Sequence, residues 1–434
     1  MSIGVGIIGA GTVGSGVLEI LTTRMESLSK AAGTKIEVAC VAARFDHELA
    51  PWKALGIPVT TDADAMIDDP SVHIVVELAG GYDLPKAWVT KALQAGKPVV
   101  TANKAMLAKH GGDLFPLAAK HGAELRFEAA VGGAIPIIRS LREAFVASDA
   151  TSIACIINGT SNYILTRMFQ DGMDFDEALK EAQAAGYAEA DPTFDVEGID
   201  AAHKVALLAT LCGGRRVDFQ KMRVEGITRI TAADVAGAKE LGCVIRLLGL
   251  VELHAEGVDA RVHPCLVPKS HPLAGVDGAM NAVFLDGSTT GPAMLYGKGA
   301  GKLPTASAVV ADIVDVAKAL ACKIPPVDLS WFGGEEAKLY PVSEIEGPYY
   351  LRLQVVDKPG VLAKVASILG DRGVSVSRMI QHETVPGQGG VTMVIDTHVV
   401  REGAVLDAVA SIDKLSETLA PTVVLRFYER GSAA

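Results

Sequence analysis

An apolar run over residues 3–8 leads directly into Gly9-Ala10-Gly11-Thr12-Val13-Gly14, and a helical period follows through about residue 28. Further short apolar runs at 36–42, 74–78 and 99–102 alternate with helical segments such as 85–95. Strands that are apolar on both faces, separated by helices, predict a parallel sheet covered on two sides, the doubly wound α/β class of Rossmann type. The glycine run stands between strand and helix, where free N–H groups at a helix start can hold a pyrophosphate. Gly9, Gly11, Thr12, Val13 and Gly14 are therefore candidate cofactor-binding residues. Ligands of such sheets bind beyond the carboxyl ends of the strands. Glu77-Leu78-Ala79-Gly80-Gly81 and Thr101-Ala102-Asn103-Lys104 sit at two of those ends.

The second strand ends at Ala43-Arg44. An NAD site usually carries Asp or Glu for the ribose 2′-hydroxyl about 20 residues beyond the glycines. Here the interval is longer because the first helix is extended, and Arg44 suits a 2′-phosphate instead. NADP is the expected cofactor, with NAD possible.

From 196 to 211 the chain again reads as a helix, with Asp195 as its N-cap and Glu197 in its first turn. After Ala201 almost every residue except His203 and Lys204 is Ala, Val or Leu, which leaves no wide polar face for water. Asp200 and Lys204 are four apart and share a face. On a solvated surface such a pair is worth only about 0.3–0.5 kcal/mol. In a dry setting desolvation lowers the lysine pKa while carboxylates raise it, and the amine can accept or donate a proton.

After Glu128-Ala129-Ala130-Val131-Gly132-Gly133-Ala134-Ile135-Pro136 the character changes, and a second, α+β domain is expected. In it, a strand over 153–157 leads to Asn158-Gly159-Thr160-Ser161-Asn162, a turn with several side-chain donors. A Gly-rich run at 297–305 precedes an apolar helix over about 306–321. Residues 325–347, rich in Pro, Gly and charge, read as a linker. Beyond it, strand 349–356, helix 360–370, strands 374–379 and 391–399, helix 404–415 and strand 422–428 spell β-α-β-β-α-β, a ferredoxin-like unit.

Composition narrows the function classes. The 434 residues suffice for two to three domains, and 49% hydrophobic with 21% charged residues argues against disorder. A net charge of −11 argues against a nucleic-acid partner, which needs a basic footprint. The six cysteines, at 40, 155, 212, 243, 265 and 322, never approach C-x-x-C spacing, and read as reduced thiols of a cytoplasmic protein. The uncharged first eighteen residues include six glycines and lack a basic n-region, so no signal peptide is expected, and no membrane span.

The run Gly186-Tyr187-Ala188-Glu189-Ala190-Asp191-Pro192, followed by Asp195, Gly198, Asp200 and Lys204, resembles the substrate-site signature of homoserine dehydrogenase. The resemblance implies NAD(P)H-dependent reduction of L-aspartate 4-semialdehyde to L-homoserine, on the branch to threonine, methionine and isoleucine. It makes Lys204 the general acid/base, Asp200 and Glu189 ligands of the substrate's amino and hydroxyl groups, and Lys104 a second active-site lysine at the cofactor edge. Asp195, Gly186, Tyr187 and Thr160 join the substrate-binding set, and Gly299 and Gly301 match a segment that returns to the cofactor. Family members bind a monovalent cation, sodium being the expected one, at a place matched by Glu128, Val131, Gly133 and Ile135.

The C-terminal unit, with Asp357-Lys358-Pro359-Gly360-Val361-Leu362 at its first turn, resembles an ACT domain, a sensor that often binds amino acids at paired interfaces. The implied organisation is a Rossmann domain at 1–130 with 304–325, a substrate-binding and catalytic domain at 131–303, a linker at 326–347 and an ACT domain at 348–430. A homo-oligomer, dimer or tetramer, is expected, with threonine, isoleucine or methionine as effector. Removal of the module near Glu346 is expected to leave an active but unresponsive enzyme. Two rivals stand beside this reading: a semialdehyde dehydrogenase using Cys155 as nucleophile, and a non-catalytic sensor of a dinucleotide and an amino acid.

Overall fold

The computed structural model describes residues 2–381 and 390–428; Met1 and positions 382–389, 429 and 430, counted above in the first and last domains, lie outside the described residues. Six parallel strands, β1 Ser2–Ile8, β2 Lys35–Ala42, β3 Val59–Thr60, β4 Ile74–Glu77, β5 Val99–Thr101 and β6 Leu125–Arg126, form a sheet in the order β3-β2-β1-β4-β5-β6. The order reverses between β1 and β4, which opens a crevice at their carboxyl ends. Ile3, Val5 and Ile7 project to one face, where they meet Leu18 and Leu21 of the helix Thr12–Ala32 and Val309 and Ile313 of the helix Lys302–Cys322. The other core packs Val75 and Val99 with Leu93, Leu114 and Phe115. A helix from far down the chain thus completes the first domain.

Ten further strands share one sheet. The middle of the chain supplies β7 Ala150–Ile156, β8 Arg223–Val224, β9 Cys243–His254, β10 Gly257–Pro268, β11 Met280–Gly287 and β12 Gly291–Lys298. After the short β13 Glu346–Gly347 come β14 Tyr349–Val355, β15 Val376–Gln381, β16 Val391–Thr397, β17 Val400–Arg401 and β18 Thr418–Phe427. The path is β12-β11-β7-β9-β10-β18-β14-β16-β15, with β8 on β10, while β13 and β17 pair separately. The last unit has the expected β-α-β-β-α-β order, its helices being Val361–Gly370 and Glu402–Ile412.

The C-terminal unit is not an appendage. Its β18 pairs in parallel with β10 at Cys265–Arg426 and Leu266–Phe427, so one sheet runs through both domains. Charges seal the seam: Arg426 donates to Glu225 at 2.6 and 2.8 Å and to Glu402 at 2.6 Å, and Arg261 reaches Glu402 at 3.5 Å. Buried charges survive when paired in this way. The stretch read as a linker is itself tied down. Phe332 packs on Phe115 with ring centroids 4.3 Å apart, Glu336 holds Lys221 and Arg216, and Val258 N–H donates to Lys338 O at 2.9 Å. These ties remove the freedom that a hinge needs.

Candidate active site

The helix Ile199–Gly213 is buried from Asp200 through Thr210, as its apolar composition requires. Its start differs from the sequence expectation. Gly198 is the N-cap, in the left-handed region at φ 78°, where L side chains are strained. Asp195 belongs instead to a separate short turn, Thr193–Val196, that follows Pro192. Freed from capping, its carboxylate accepts from Asn158 Nδ2 at 2.7 Å.

Lys204 Nζ donates to Asp200 Oδ2 and to the Ile157 carbonyl, both at 2.7 Å. The other Asp200 oxygen is 2.9 Å from Lys104 Nζ, and Asn158 Nδ2 donates to Oδ2 at 2.9 Å. One carboxylate therefore joins two lysines. Burial opposes its charge, but Lys204 and Lys104 outweigh that and hold Asp200 well below the usual carboxylate range. Burial pulls Lys204 below an ordinary lysine, with Lys104 adding to the effect and Asp200 opposing it. Lys104 is also desolvated, yet Asp200 and Asp195 raise it overall. Asp195 is pushed up, chiefly by burial and also by Asp200. The lysines thus move in opposite directions, the pattern that separates a proton carrier from a fixed charge.

Lys104 owes its place to the end of the parallel sheet. Asn103 caps the helix Lys104–Lys120 by accepting from Met106 N–H at 3.0 Å, and its Nδ2 donates to Gly81 O at 2.8 Å. Thr101 donates to the buried Glu77 at 2.7 Å. The loops after β4 and β5 are thereby locked together, and Lys104 reaches from that end of the sheet to Asp200; it does not line the cleft at the switch point.

Other predicted residues are less close. Thr160 donates to the Tyr187 carbonyl at 2.6 Å, and the Tyr187 ring, half exposed, lies 4.8 Å from that of Tyr163. Gly186 turns the chain after the helix Phe175–Ala184 at φ 75°. Glu189 is exposed, its carbonyl accepting from Gln183 at 3.0 Å. The structure does not bring its carboxylate to Asp200 or Lys204.

A cleft of about 600 Å³ lies at the switch point, lined by Gly9, Gly11, Arg44, Glu48, Leu78 and Trp88 among others. Gly9 has φ 98°, and a Cβ on Gly14 would lie 1.9 Å from the Gly9 carbonyl, so side chains are excluded from this turn. The helix Thr12–Ala32, in whose first turn Thr12, Val13 and Gly14 lie, begins at Gly11 with no side-chain cap, which leaves N–H groups for a ligand. Arg44 rests over the Phe45 ring at 5.3 Å. Gly301 is the likewise uncapped start of the helix Lys302–Cys322, and Gly299 presses against Gly133; neither glycine lines this cleft.

Glu128 is buried, and its two oxygens accept from Ile138 and Arg139 N–H groups at 2.9 and 2.8 Å. Burial raises its pKa. The carbonyls of Val131, Gly133 and Ile135, expected beside it, would add only oxygen donors, and a carboxylate with two amide bonds retains lone pairs. Hard oxygen donors fit an alkali or alkaline-earth cation rather than a thiophilic metal.

Cys155 gives no support to a thiol nucleophile. It lies buried in β7 against the Gly249 carbonyl at 3.4 Å, and burial pushes its thiol up to about 12. His203 is packed edge-on to Phe219 at 4.3 Å, and burial lowers it to about 4, which keeps it neutral. Sequence reasoning named the 158–162 turn but not the part Asn158 plays in linking Asp195 with Asp200. The Ile157 carbonyl carries no side-chain signal at all.

Three family models match the chain: homoserine dehydrogenase over residues 136–314, the NAD binding domain of homoserine dehydrogenase over 9–128, and the ACT domain over 349–415. A homoserine dehydrogenase of Pseudomonas aeruginosa is 44% identical over 426 residues, covering 97% of this chain and 98% of the relative. A solved homoserine dehydrogenase from Thiobacillus denitrificans superposes with TM-score 0.92 at 42% identity, covering 99% of each chain. A hyperthermophilic archaeal homoserine dehydrogenase in complex with NADPH matches at TM-score 0.62 and 26% identity, over 75% of this chain and 99% of its own.

Proposed function

The chain belongs to the homoserine dehydrogenase family, an NAD(P)-dependent oxidoreductase with an ACT domain, and on that premise we propose that Lys204 is its general acid/base. The carrying observation is the Lys104–Asp200–Lys204 bridge in a buried setting. Two of the three Lys204 donors are spent on Asp200 and Ile157, which orients the amine and leaves one position for the substrate oxygen. When bound, the nicotinamide supplies the hydride to the aldehyde carbon or accepts it from the alcohol carbon. In the oxidative direction neutral Lys204 takes the hydroxyl proton; in reduction the ammonium returns it. Asp200 stays ionised between the two lysines and lets the Lys204 proton come and go without leaving an unpaired buried charge. Lys104 supplies a fixed positive charge beside the developing alkoxide.

The substrate's amino group finds carboxylates in Asp195 and Asp200, with Thr160, Gly186 and Tyr187 shaping the wall and Glu189 joining only if its loop moves inward. Gly9, Gly11, Thr12, Val13 and Gly14 receive the pyrophosphate. Arg44 favours NADP through its 2′-phosphate, although Glu48 in the same cleft reduces that advantage. Glu128, Val131, Gly133 and Ile135 would hold a monovalent cation that steadies the loop, and Gly299 and Gly301 would approach the cofactor from the returning helix. We assign the activity to the cytoplasm; among the described residues no helix is long and apolar enough to cross a membrane. A homo-oligomer and control by an end-product amino acid complete the reading. Initial rates with homoserine and each of NAD and NADP test substrate, reaction and cofactor together. Turnover with NADP at the higher kcat/KM is expected, and absence of turnover with either would overturn the proposal.

A further inference from the structure

The hairpin β9-β10 closes through Ala255-Glu256, and its register sets Asp259 directly opposite Glu252. Residues two apart on a strand share a face, so His254 stands on the same side as both carboxylates. One imidazole nitrogen and one oxygen from each carboxylate lie within 4.8 Å of one another. Like charges directly opposite destabilise a strand pair. Here the pair is nevertheless folded inward, Asp259 being buried and Glu252 half-buried. Arg261 donates to Asp259 Oδ2 at 3.0 Å. Burial, with Glu252 adding to it, still pushes Asp259 up against the opposing Arg261 charge.

His254 adds an observation of a different kind. Its Nε2 is shielded from solvent and has no hydrogen-bond partner among the described residues, and it faces Glu252 Oε1 at 3.8 Å. The ring is held by stacking on Tyr340, with centroids 4.1 Å apart and 18° between the planes. Tyr340 is itself fixed, its N–H donating to Val258 O at 2.9 Å. A shielded ring nitrogen aimed at two carboxylates is costly unless something joins them. Beside the group opens a cleft of about 220 Å³ lined by Ser152, Glu252, Asp259 and Glu346 among others, which gives an ion a path inward and room for water ligands.

We propose that Glu252, His254 and Asp259 bind one divalent transition-metal ion of the zinc class, which ties the end of the β9-β10 hairpin to the segment carrying Tyr340. Zinc takes imidazole nitrogen and carboxylate oxygen at about 2.0–2.2 Å, which sets ligand atoms about 3.3 Å apart, and rotation of the half-buried Glu252 side chain closes the remaining gap. An imidazole in the set disfavours calcium and magnesium, and the want of a thiolate disfavours copper(I). Arg261 on Asp259 and Tyr340 against His254 are the outer partners that orient such ligands. The site is separate from the all-oxygen set at Glu128, and it does not depend on the reading of the active site.

The test is equilibrium dialysis of the chelator-treated full-length protein against micromolar zinc, with metal analysis and thermal unfolding. The expected result is one zinc per chain and a higher unfolding midpoint in its presence, since a ligand of the folded state stabilises it. His254→Gln and Asp259→Asn should each weaken zinc by at least the roughly 10–100-fold that loss of an outer partner costs. Homoserine turnover of His254→Gln without zinc should match the parent. If Asp259→Asn does not fold, the part-buried His254→Gln decides alone. Cobalt in place of zinc should show d–d bands without a thiolate charge-transfer band. Parental zinc affinity in folded His254→Gln, a thiolate band, or no zinc binding by the parent would each overturn the site.

Discussion

Asp200 accepts hydrogen bonds from Lys204 and Asn158 and faces Lys104, so its removal would leave two cations without their common partner. For Lys204→Ala we expect kcat to fall at least about 100-fold with the fold intact, the usual scale of acid/base catalysis. Asp200→Ala should also impair turnover, and the double variant should lose less than the sum of the two, because the residues act as a unit. Because burial lowers the Lys204 pKa, its proton leaves at a lower pH than that of a solvated lysine, about 10.4. The neutral amine is the base, so homoserine oxidation should rise with pH through a limb centred below that value. A pH profile of kcat checks both sign and position, and a flat profile would count against Lys204. Cys155→Ser should leave turnover largely unchanged, since the thiol is buried and held protonated; loss of activity in a folded variant would restore the thiol reading.

At the scale of elements, cofactor choice rests on how the second strand ends. Arg44→Asp should weaken NADP far more than NAD, because it removes a charge-assisted contact and adds repulsion toward the 2′-phosphate. Equal losses in Kd for the two cofactors would place the side chain outside the phosphate site. The β1, turn and helix sequence was readable because three signals coincide: a buried strand, glycines with no room for side chains, and a helical period. The hairpins β9-β10 and β11-β12 were not readable. Strands β9, β10 and β11 lie inside a large sheet and run apolar without strict alternation, β12 is an edge strand interrupted by Gly and Pro, and the turns, Ala255-Glu256 and Ser288-Thr289-Thr290, lack the Asn-Gly or Asp-Gly signal. The catalytic helix was legible as a core helix with polar passengers, but its start was not, because Gly198 rather than Asp195 breaks the chain there. Asn158 meets Asp195 and Asp200 from 37 and 42 residues away, and no local pattern encodes such pairings.

Over the whole molecule, the shared sheet changes what truncation should do. Ending the chain near Glu346 would strip β18 from β10 and leave Glu225 without Arg426. We expect such a chain to be destabilised rather than simply unresponsive, in contrast to a tethered module. A milder version is Arg426→Ala, which breaks a buried pair and should cost about 3–5 kcal/mol in denaturant unfolding. A loss under ~1 kcal/mol would mean the seam is not energetically coupled. The parallel contact also has a consequence for how the protein is made. During synthesis, β10 emerges long before its neighbour β18, and at about 5–20 residues per second the delay is on the order of ten seconds. Throughout that time the β10 edge beyond β8 is open to pairing with another nascent chain. Crowded polysomes are therefore the place where this enzyme is most exposed to misassembly, and slow completion of its last strand sets the length of that exposure.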